Sequence, residues 1–424
     1  MSTSLHDRLL AAQDGDADLK LLQDAIAIDS VTGNETAFAT FLEDRMTDLG
    51  LHTGSGEFLP GRLNVWGETC EPSATGDRLL IVGHTDTVHV RGWEETWKGA
   101  PQESPLGGAL IDGEVWGRGA CDLKGGICAA LGGLRLLQKA GLRLSGGLSF
   151  AFIGDEESGE PGTGVSAGAH DLVKRVEAGT IAKPDFAVYV EPTKLDVYTA
   201  QIGFFIADIS VTGKSAYFGT PELGTDALKA THAVLERIWA HEADLANGPS
   251  HDLVGTSSIL VTHISGGGYI AVPGECKLSL IRKLRPGESL DEAVTAFEAA
   301  VRSAPVAGGI SIAIDYPAGR DHRYGGSPVE IDREAPAALL LSNCVSEATA
   351  GTQVSGGTLG GAPYWSEMPF LVNKIGCPAV YCAPGDIGVA HTFEERIGTE
   401  GYLAAVRAFA LFMARYCGLE EKAE

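Results

Sequence analysis

Short apolar, β-branched runs alternate along the chain with longer segments of helical periodicity. The runs are bounded by glycine, proline or charged residues, which is typical of strands buried in a parallel sheet. The predicted strands are 79–83, 148–154, 186–190 and 378–383, and the predicted helices are 37–49, 125–140 and 335–350. This alternation predicts an α/β domain with a mostly parallel central sheet and flanking helices.

The interval 204–315 departs from this alternation. Strands with alternating burial are predicted at 205–211, 258–264, 276–284 and 310–315, with two helices near 226–246 and 289–303. That order fits a small α+β unit inserted into the first domain. We therefore expect a first domain in two parts, residues 1–202 and 321–424, interrupted by an inserted α+β domain over residues 203–320.

Composition and charge argue against several classes of partner. The hydrophobic fraction of 44% and the charged fraction of 21% are ordinary for a globular protein, and no apolar run approaches the ~20 residues of a membrane helix. The net charge of −24 would repel nucleic acid. The N-terminal segment lacks a secretory signal pattern, and the eight cysteines include no CxxC pair. These features predict a folded, soluble cytoplasmic protein.

Several predicted strands end in imidazole or carboxylate side chains. His84 and Asp86 follow the strand 79–83 and point to the same side of an extended chain. A carboxylate beside an imidazole commonly orients a metal-ligand histidine. Three consecutive acids, 155–157, follow the strand 148–154, where they would raise one another's pKa unless a cation neutralised them. Taken singly, each pattern is equally typical of a surface turn.

Three further candidates complete this pattern. Asp122 lies among four glycines within residues 117–126, Glu191 follows the strand 186–190, and His391 follows the strand 378–383 through a Pro-Gly-Asp segment. Thr392 and Glu395 have the spacing of a capping box, which predicts a helix that begins beside His391. Ligands of α/β sheets bind at the carboxyl ends of strands, so five strand or loop ends that each carry a His, Asp or Glu indicate one shared site.

The motifs occur in the order GHTDTV (83–88), GRGACDLKGG (117–126), GDEESG (154–159), EPT (191–193) and APGDIGVAHTFEE (383–395). With them the chain resembles the metal-dependent aminoacylases and amidases that include acetylornithine deacetylase, succinyl-diaminopimelate desuccinylase and glutamate carboxypeptidases. The resemblance implies a zinc-peptidase-like catalytic domain and an inserted lid and dimerisation domain. It also implies two divalent metal ions per subunit, held by His84, Asp122, Glu157, Glu191 and His391.

In this resemblance Asp122 bridges the two ions, His84 and Glu191 complete one site, and Glu157 and His391 complete the other. Mixed carboxylate and imidazole ligation suits zinc, manganese or cobalt, and partial occupancy is compatible with it.

Two residues beside these ligands are implied to have catalytic roles. Asp86 would orient His84, and Glu156 would be the general base that takes a proton from metal-activated water and delivers it to the leaving nitrogen. The resemblance further implies a cis peptide bond between Asp122 and Leu123.

The inserted domain departs from the family pattern. The family usually places a histidine where this chain has Tyr217, an asparagine where it has Ile270, and an arginine where it has Lys283, next to Arg282. A phenol cannot carry a positive charge, and lysine lacks the bidentate fork of arginine. We expect Tyr217, Arg282 and Lys283 to contact the substrate.

Two further departures concern the same region of substrate contacts. Leu359 stands where many relatives have an aspartate after threonine. The candidates to replace the missing histidine of the inserted domain are His263 and His322.

The leading functional hypothesis is hydrolysis of a C–N bond, other than an ordinary peptide bond, in a small carboxylate-bearing substrate such as an N-acyl amino acid. The altered inserted domain leaves an alternative, an aminohydrolase that releases ammonia from an activated aromatic amine of the nitroanthranilate type. A non-catalytic metal-binding protein is a third hypothesis, although it predicts damage to a ligand set that is intact here. The resemblance implies a homodimer or higher homo-oligomer through the inserted domain.

Overall fold

A computed structural model describes residues 4–69, 77–158 and 162–420 of the chain. The chain divides into two compact units. The first comprises Met1–Thr199, Ile331–Gly361 and Phe370–Glu424, and the second comprises Ala200–Glu330 and Ala362–Pro369.

The helices of the described residues are α1 (Leu5–Ala12), α2 (Gly15–Ile26), α3 (Thr36–Asp48), α4 (Trp93–Thr96), α5 (Lys124–Lys139), α6 (Ala167–Glu177), α7 (Ala227–Ala246), α8 (Leu290–Arg302), α9 (Pro336–Thr349) and α10 (Thr399–Tyr416). Short 3-10 turns occur at Pro221–Leu223 and Ile387–Val389, and a π-helical turn occurs at Phe370–Ile375. None of the described helices is both long and apolar enough to cross a membrane.

The strands of the described residues are β1 (His52–Leu59), β2 (Arg62–Glu68), β3 (Arg78–His84), β4 (Ala109–Ile111), β5 (Glu114–Trp116), β6 (Gly147–Ile153), β7 (Phe186–Tyr189), β8 (Val197–Gln201), β9 (Gly203–Thr212), β10 (Ser250–His251), β11 (Gly255–Thr256), β12 (Ser258–Gly266), β13 (Glu275–Leu284), β14 (Ser311–Asp315), β15 (Gly325–Gly326), β16 (Val329–Glu330), β17 (Leu359–Ala362), β18 (Ala379–Tyr381) and β19 (Arg396–Gly398).

The main sheet of the first unit has the order β1-β2-β6-β3-β7-β18-β8. Its centre is parallel, because β3 pairs in parallel with β6 and β7, and β18 pairs in parallel with β7. The strands β3, β6 and β7 are buried along their whole length, which explains their continuous apolar sequences. The predicted mostly parallel central sheet is confirmed, with antiparallel strands at its margins.

Helix α5 packs closely on this sheet because it is rich in glycine. A methyl group at Gly126 would lie 2.4 Å from the carbonyl oxygen of Val190, and one at Gly133 would lie 2.9 Å from Cβ of Phe409 in α10. Larger side chains at these two positions would therefore force α5 away from the strand end and from α10. The close approach fixes the residues that precede α5 against the carboxyl edge of the sheet.

The second unit is built around an antiparallel sheet of order β12-β13-β9-β14, with β15 also paired to β9. Along β9 buried and half-exposed residues alternate, as expected of a strand with one covered face. Residues of α7 and α8 join the sheet in one apolar core. This arrangement is the predicted α+β unit, and the unit also takes in Ala362–Pro369.

One predicted element is wrong. Residues 391–395 form turns that lead into the strand β19, whereas the capping-box spacing of Thr392 and Glu395 predicts a helix. The reason is tertiary: the carboxylate of Glu395 accepts hydrogen bonds from the main chain of Cys121 and Asp122 and is not available to cap a helix of its own.

Candidate metal centre

The candidate centre lies in the first unit, at the carboxyl edge of the parallel strands. His84 is the last residue of β3, Glu157 follows β6, and Glu191 follows β7, so three neighbouring strands deliver them to the same edge. Asp122 lies two residues before α5, and His391 lies in the loop before β19. The structure brings these five predicted ligands together.

The two oxygens of Asp122 face different partners. Oδ1 lies 3.1 Å from Nε2 of His84, and Oδ2 lies 3.1 Å from Nε2 of His391. Glu191 Oε1 is 3.7 Å from His84 Nε2, and Glu157 Oε1 is 2.9 Å from His391 Nε2. The side chains thus form two groups that share Asp122, an arrangement suited to a bridging carboxylate. The bond between Asp122 and Leu123 is cis, as the resemblance implies.

The donor set fits divalent metal ions. In each of the two groups that share Asp122, one ligand atom from each of three residues lies within 4.8 Å of the others. Four of the five side chains are buried, whereas the side chain of His391 is 54% exposed. Buried carboxylates and imidazoles without thiolates suit zinc, manganese or cobalt.

The charge of the cluster favours a cation. Burial opposes protonation of His84, but its hydrogen bond with Asp122 and the nearby charges of Glu191 and Glu156 raise its pKa well above the usual value. Hydrogen bonds with Asp122 and Glu157 raise the pKa of His391 to about 11. Protons and metal ions therefore compete for the same negative site, because metal binding requires neutral imidazoles.

Asp86 positions two parts of the site. The main-chain carbonyl of Asp86 lies 2.9 Å from Nδ1 of His84. Since a carbonyl only accepts, Nδ1 donates this hydrogen bond, and in the neutral ring Nε2 would be left to act as a ligand. The carboxylate of Asp86 accepts hydrogen bonds from the main-chain N–H groups of Glu156 at 3.3 Å and Glu157 at 2.9 Å, and from the hydroxyl of Thr32 at 3.0 Å. Asp86 thereby fixes the main chain of Glu156 and Glu157 as well as the ring of His84.

The three consecutive acids at 155–157 have different surroundings. Asp155 is fully buried, has a positive φ of 74° and pairs with Arg62 at 2.9 Å. Its carboxylate also accepts main-chain hydrogen bonds from Gly164, Val165 and Ala167. Sequence reasoning gave Asp155 no role, although a positive φ is uncommon outside glycine and often accompanies functional sites. Glu156 is half-buried beside His84 and Glu157.

The loop that carries His391 is held by aromatic side chains. His391 has a positive φ of 61°. Trp97 Nε1 donates a hydrogen bond of 2.5 Å to the carbonyl of Phe393, and the ring of Phe393 meets the edge of Trp93 at 6.4 Å between centroids. These contacts were not anticipated from the sequence, because the tryptophans lie almost 300 residues away.

The predicted substrate residues lie in the second unit. Tyr217 is 62% exposed in a loop that forms a β-bridge with Ala271, which brings it beside Ile270. Arg282 is only 2% exposed and pairs with Glu288 at 2.7 Å. Lys283 donates a hydrogen bond of 2.6 Å to the carbonyl of Val254. Within this unit Arg282 and Lys283 therefore have local partners, whereas Tyr217 is presented to solvent.

The two histidines considered as replacements differ in their surroundings. His263 is exposed on β12. His322 lies 3.4 Å from a carboxylate oxygen of Asp291 and packs beside the ring of Tyr324.

A parallel-centred α/β unit with carboxylates and imidazoles clustered at its carboxyl edge is an arrangement that suits a metal-dependent enzyme. The model of Peptidase family M20/M25/M40 matches residues 80–415. The chain therefore belongs to this family, and the family resemblance predicted from the motifs is confirmed. It is a hydrolase of a metallopeptidase family.

Curated relatives match over most of their length. The chain is 27% identical over 348 residues to an acetylornithine deacetylase of Myxococcus xanthus, covering 80% of each protein. It is 26% identical over 416 residues to a succinyl-diaminopimelate desuccinylase of Gluconacetobacter diazotrophicus, covering 94% of this chain and 97% of the relative.

Solved structures share the fold. A tripeptidase of Staphylococcus aureus superposes with a TM-score of 0.72 at 17% identity, covering 95% of this chain and 99% of that chain. A peptidase of the M20 family from Bacillus subtilis, described as dinuclear metal-binding, superposes with a TM-score of 0.61 at 14% identity, covering 95% and 98%.

Proposed function

We propose that the protein is a metal-dependent amidohydrolase that cleaves the C–N bond of a small N-acyl amino acid. The observation that carries this proposal is the complete cluster of five ligands with Glu156 beside it, held by Asp86. The names of the two relatives, a deacetylase and a desuccinylase, support an acyl group on an amino acid nitrogen.

His84, Asp122 and Glu191 would hold one divalent ion, and Asp122, Glu157 and His391 would hold the other. Bound zinc, manganese or cobalt ions would supply Lewis-acid chemistry, polarising the scissile carbonyl and lowering the pKa of water toward about 7. Partial occupancy of the two positions is part of the proposal, because His391 is the most exposed of the five ligands.

Glu156 is the proposed general base. Its main-chain N–H is bonded to Asp86, and its side chain is grouped with His84 and Glu157. A half-buried carboxylate at this point can accept a proton from the attacking water and pass it to the leaving nitrogen, which departs as a neutral amine. Asp86 has a positioning role in this scheme, since it orients both the ligand His84 and the main chain of Glu156.

The alternative of an aminohydrolase acting on an activated aromatic amine is not proposed, because the reported relatives do not favour it. A non-catalytic role is not proposed either, because Glu156 is retained among the ligands. The roles of Tyr217, Arg282 and Lys283 toward substrate, and the cytoplasmic location, stay predictions.

A homodimer through the second unit is also proposed. The strand β12 lies at the edge of its sheet, and its residues Leu260 and Ile264 are 63% and 52% exposed. An exposed apolar edge strand favours pairing with a second copy. Sedimentation velocity should give a dimer for the natural protein and for Leu110→Lys, an exposed leucine of the first unit, and a monomer for the double variant Leu260→Lys with Ile264→Lys. A dimer that survives the double change would contradict this interface.

The function is tested by a substrate screen on metal-free protein reconstituted separately with zinc, manganese and cobalt. The panel contains N-acetyl and N-succinyl amino acids, dipeptides and activated aromatic amines, and both carboxylate and ammonia release are measured. The proposal predicts release of a carboxylic acid from N-acyl amino acids, with Glu156→Gln as the inactive control. Ammonia release without carboxylic acid, or activity confined to dipeptides, would refute it.

A further inference from the structure

Glu395 connects the two loops that carry Asp122 and His391. It is fully buried and lies four residues after His391 in sequence. Its Oε1 accepts hydrogen bonds from the main-chain N–H groups of Cys121 at 3.1 Å and Asp122 at 3.0 Å. Its own carbonyl accepts a further bond from the N–H of Gly117 at 3.2 Å.

The second oxygen of this carboxylate is bound by Arg118. Oε2 lies 2.5 Å from Nη1 of Arg118, which is 2% exposed. The central carbon of this guanidinium lies 5.3 Å from the centre of the Trp93 ring, so Arg118 contacts both Glu395 and Trp93. Both oxygens of Glu395 are therefore used, and the charge of each partner is neutralised inside the protein. A buried pair of this kind breaks only at a high cost in free energy.

From this geometry we propose that Glu395 is a positioning residue that sets the orientation of the bridging carboxylate of Asp122 relative to His391. The inference rests on the proposed metal centre. The oxygens of Asp122 lie 3.1 Å from ring nitrogens on two sides, so a small rotation of its main chain moves one or both of them out of reach. Glu395 accepts a hydrogen bond from the main-chain N–H of Asp122 and thereby fixes that main chain. Because Glu395 lies in the same loop as His391, this bond links the two loops.

The proposal predicts a loss of metal affinity when the carboxylate is neutralised. In Glu395→Gln one oxygen becomes an amide nitrogen, which is a donor, so the side chain can accept either from the main-chain N–H groups of Cys121 and Asp122 or from Arg118, but not from both. Outer hydrogen-bond partners of metal ligands typically contribute 10- to 100-fold to affinity. We therefore expect the affinity for the two metal ions to fall at least about tenfold. Because Glu395 touches no reacting group, saturating metal should restore most of the turnover.

The matched control is Glu394→Gln, which removes the same charge from the neighbouring residue. The side chain of Glu394 is 65% exposed, and its Oε2 lies 3.7 Å from Nη1 of Arg396. Its metal affinity should stay within threefold of the natural protein.

Metal-free proteins are titrated with zinc against a competing chelator, and the absorption bands of the cobalt forms are recorded. Loss of affinity and an altered cobalt spectrum in Glu395→Gln alone support the proposal. An affinity within threefold of the natural protein overturns it. If Glu395→Gln lacks native near-ultraviolet circular dichroism, the same titration of Glu395→Asp decides, since its shorter side chain keeps the charge but cannot reach both partners. If the natural protein does not bind zinc, the proposed metal centre is refuted. A loss of zinc affinity confined to the Glu395 variants instead leaves the metal centre in place and supports the positioning role of Glu395.

Discussion

The role of Asp86 can be tested by Asp86→Asn, which keeps the size of the side chain and removes its charge. In the natural protein Oδ2 accepts from Glu157 and Thr32, and Oδ1 accepts from Glu156. An asparagine can keep the first two bonds with its amide oxygen. Its amide nitrogen then faces the main-chain N–H of Glu156. Both groups are donors, so the hydrogen bond between Glu156 and residue 86 is lost.

The magnitude follows from that one lost bond. A buried donor without an acceptor costs about 1–3 kcal/mol. The free energy of unfolding of Asp86→Asn should therefore fall by about this amount. If the whole loss falls on the transition state, because the freed main chain is that of the general base, kcat falls by about 5- to 160-fold.

The assay compares kcat, bound metal and urea unfolding for Asp86→Asn and for the control Thr32→Val. The control removes the hydroxyl bonded to Oδ2 but leaves both main-chain bonds to Asp86 intact, so its kcat should change less than threefold. A kcat of Asp86→Asn within twofold of the natural protein, at equal metal content, would show that Asp86 does not position Glu156.

Three further predictions address other parts of the account. Glu156→Gln should keep its bound metal, as measured by elemental analysis, while kcat falls at least about 100-fold, the usual contribution of a general base, as measured by steady-state kinetics. Near-normal turnover would contradict the assignment of Glu156 as the base. Exhaustive chelation should abolish hydrolysis, and zinc, manganese or cobalt should restore it, whereas magnesium should not; chelator-resistant activity would contradict the metal requirement. Glu288→Gln should lower the free energy of unfolding by about 3 kcal/mol at pH 7, because it leaves the charge of the buried Arg282 without its negatively charged partner. Burial alone would raise the pKa of Glu288, but hydrogen bonds from Arg282 and Ser257 lower it below the usual value, so this difference should shrink as the pH falls through that lowered pKa. A difference independent of pH would refute that origin.

The central strands and the clustering of the proposed ligands were predictable from sequence because both depend on short-range patterns. The continuous apolar runs of β3, β6 and β7 reflect burial on both faces, and each strand ends in a proposed ligand or is followed by one within a few residues. Parallel strands carry their carboxyl ends to one edge, which is sufficient to place His84, Glu157 and Glu191 near one another. The margins of the sheet were missed, because the half-exposed strand β1 has no continuous apolar run.

The residues that support the ligands were missed because their partners are remote in sequence. Thr392 and Glu395 have a local capping pattern, but Glu395 meets Asp122 across 273 residues. Asp155 was grouped with its acidic neighbours, although its positive φ turns its carboxylate toward Arg62. Similarly, Arg282 and Lys283 look equivalent in sequence, whereas only Arg282 is buried against Glu288. Local patterns do not determine such contacts.

The most direct test of the central claim is anomalous diffraction from crystals of the protein grown with zinc, recorded on both sides of the zinc absorption edge. We predict two zinc peaks per chain that share Asp122, one contacted by His84 and Glu191 and the other by Glu157 and His391, with the second peak lost in His391→Ala. No zinc peak at Asp122, or two peaks that persist unchanged in His391→Ala, would contradict the account.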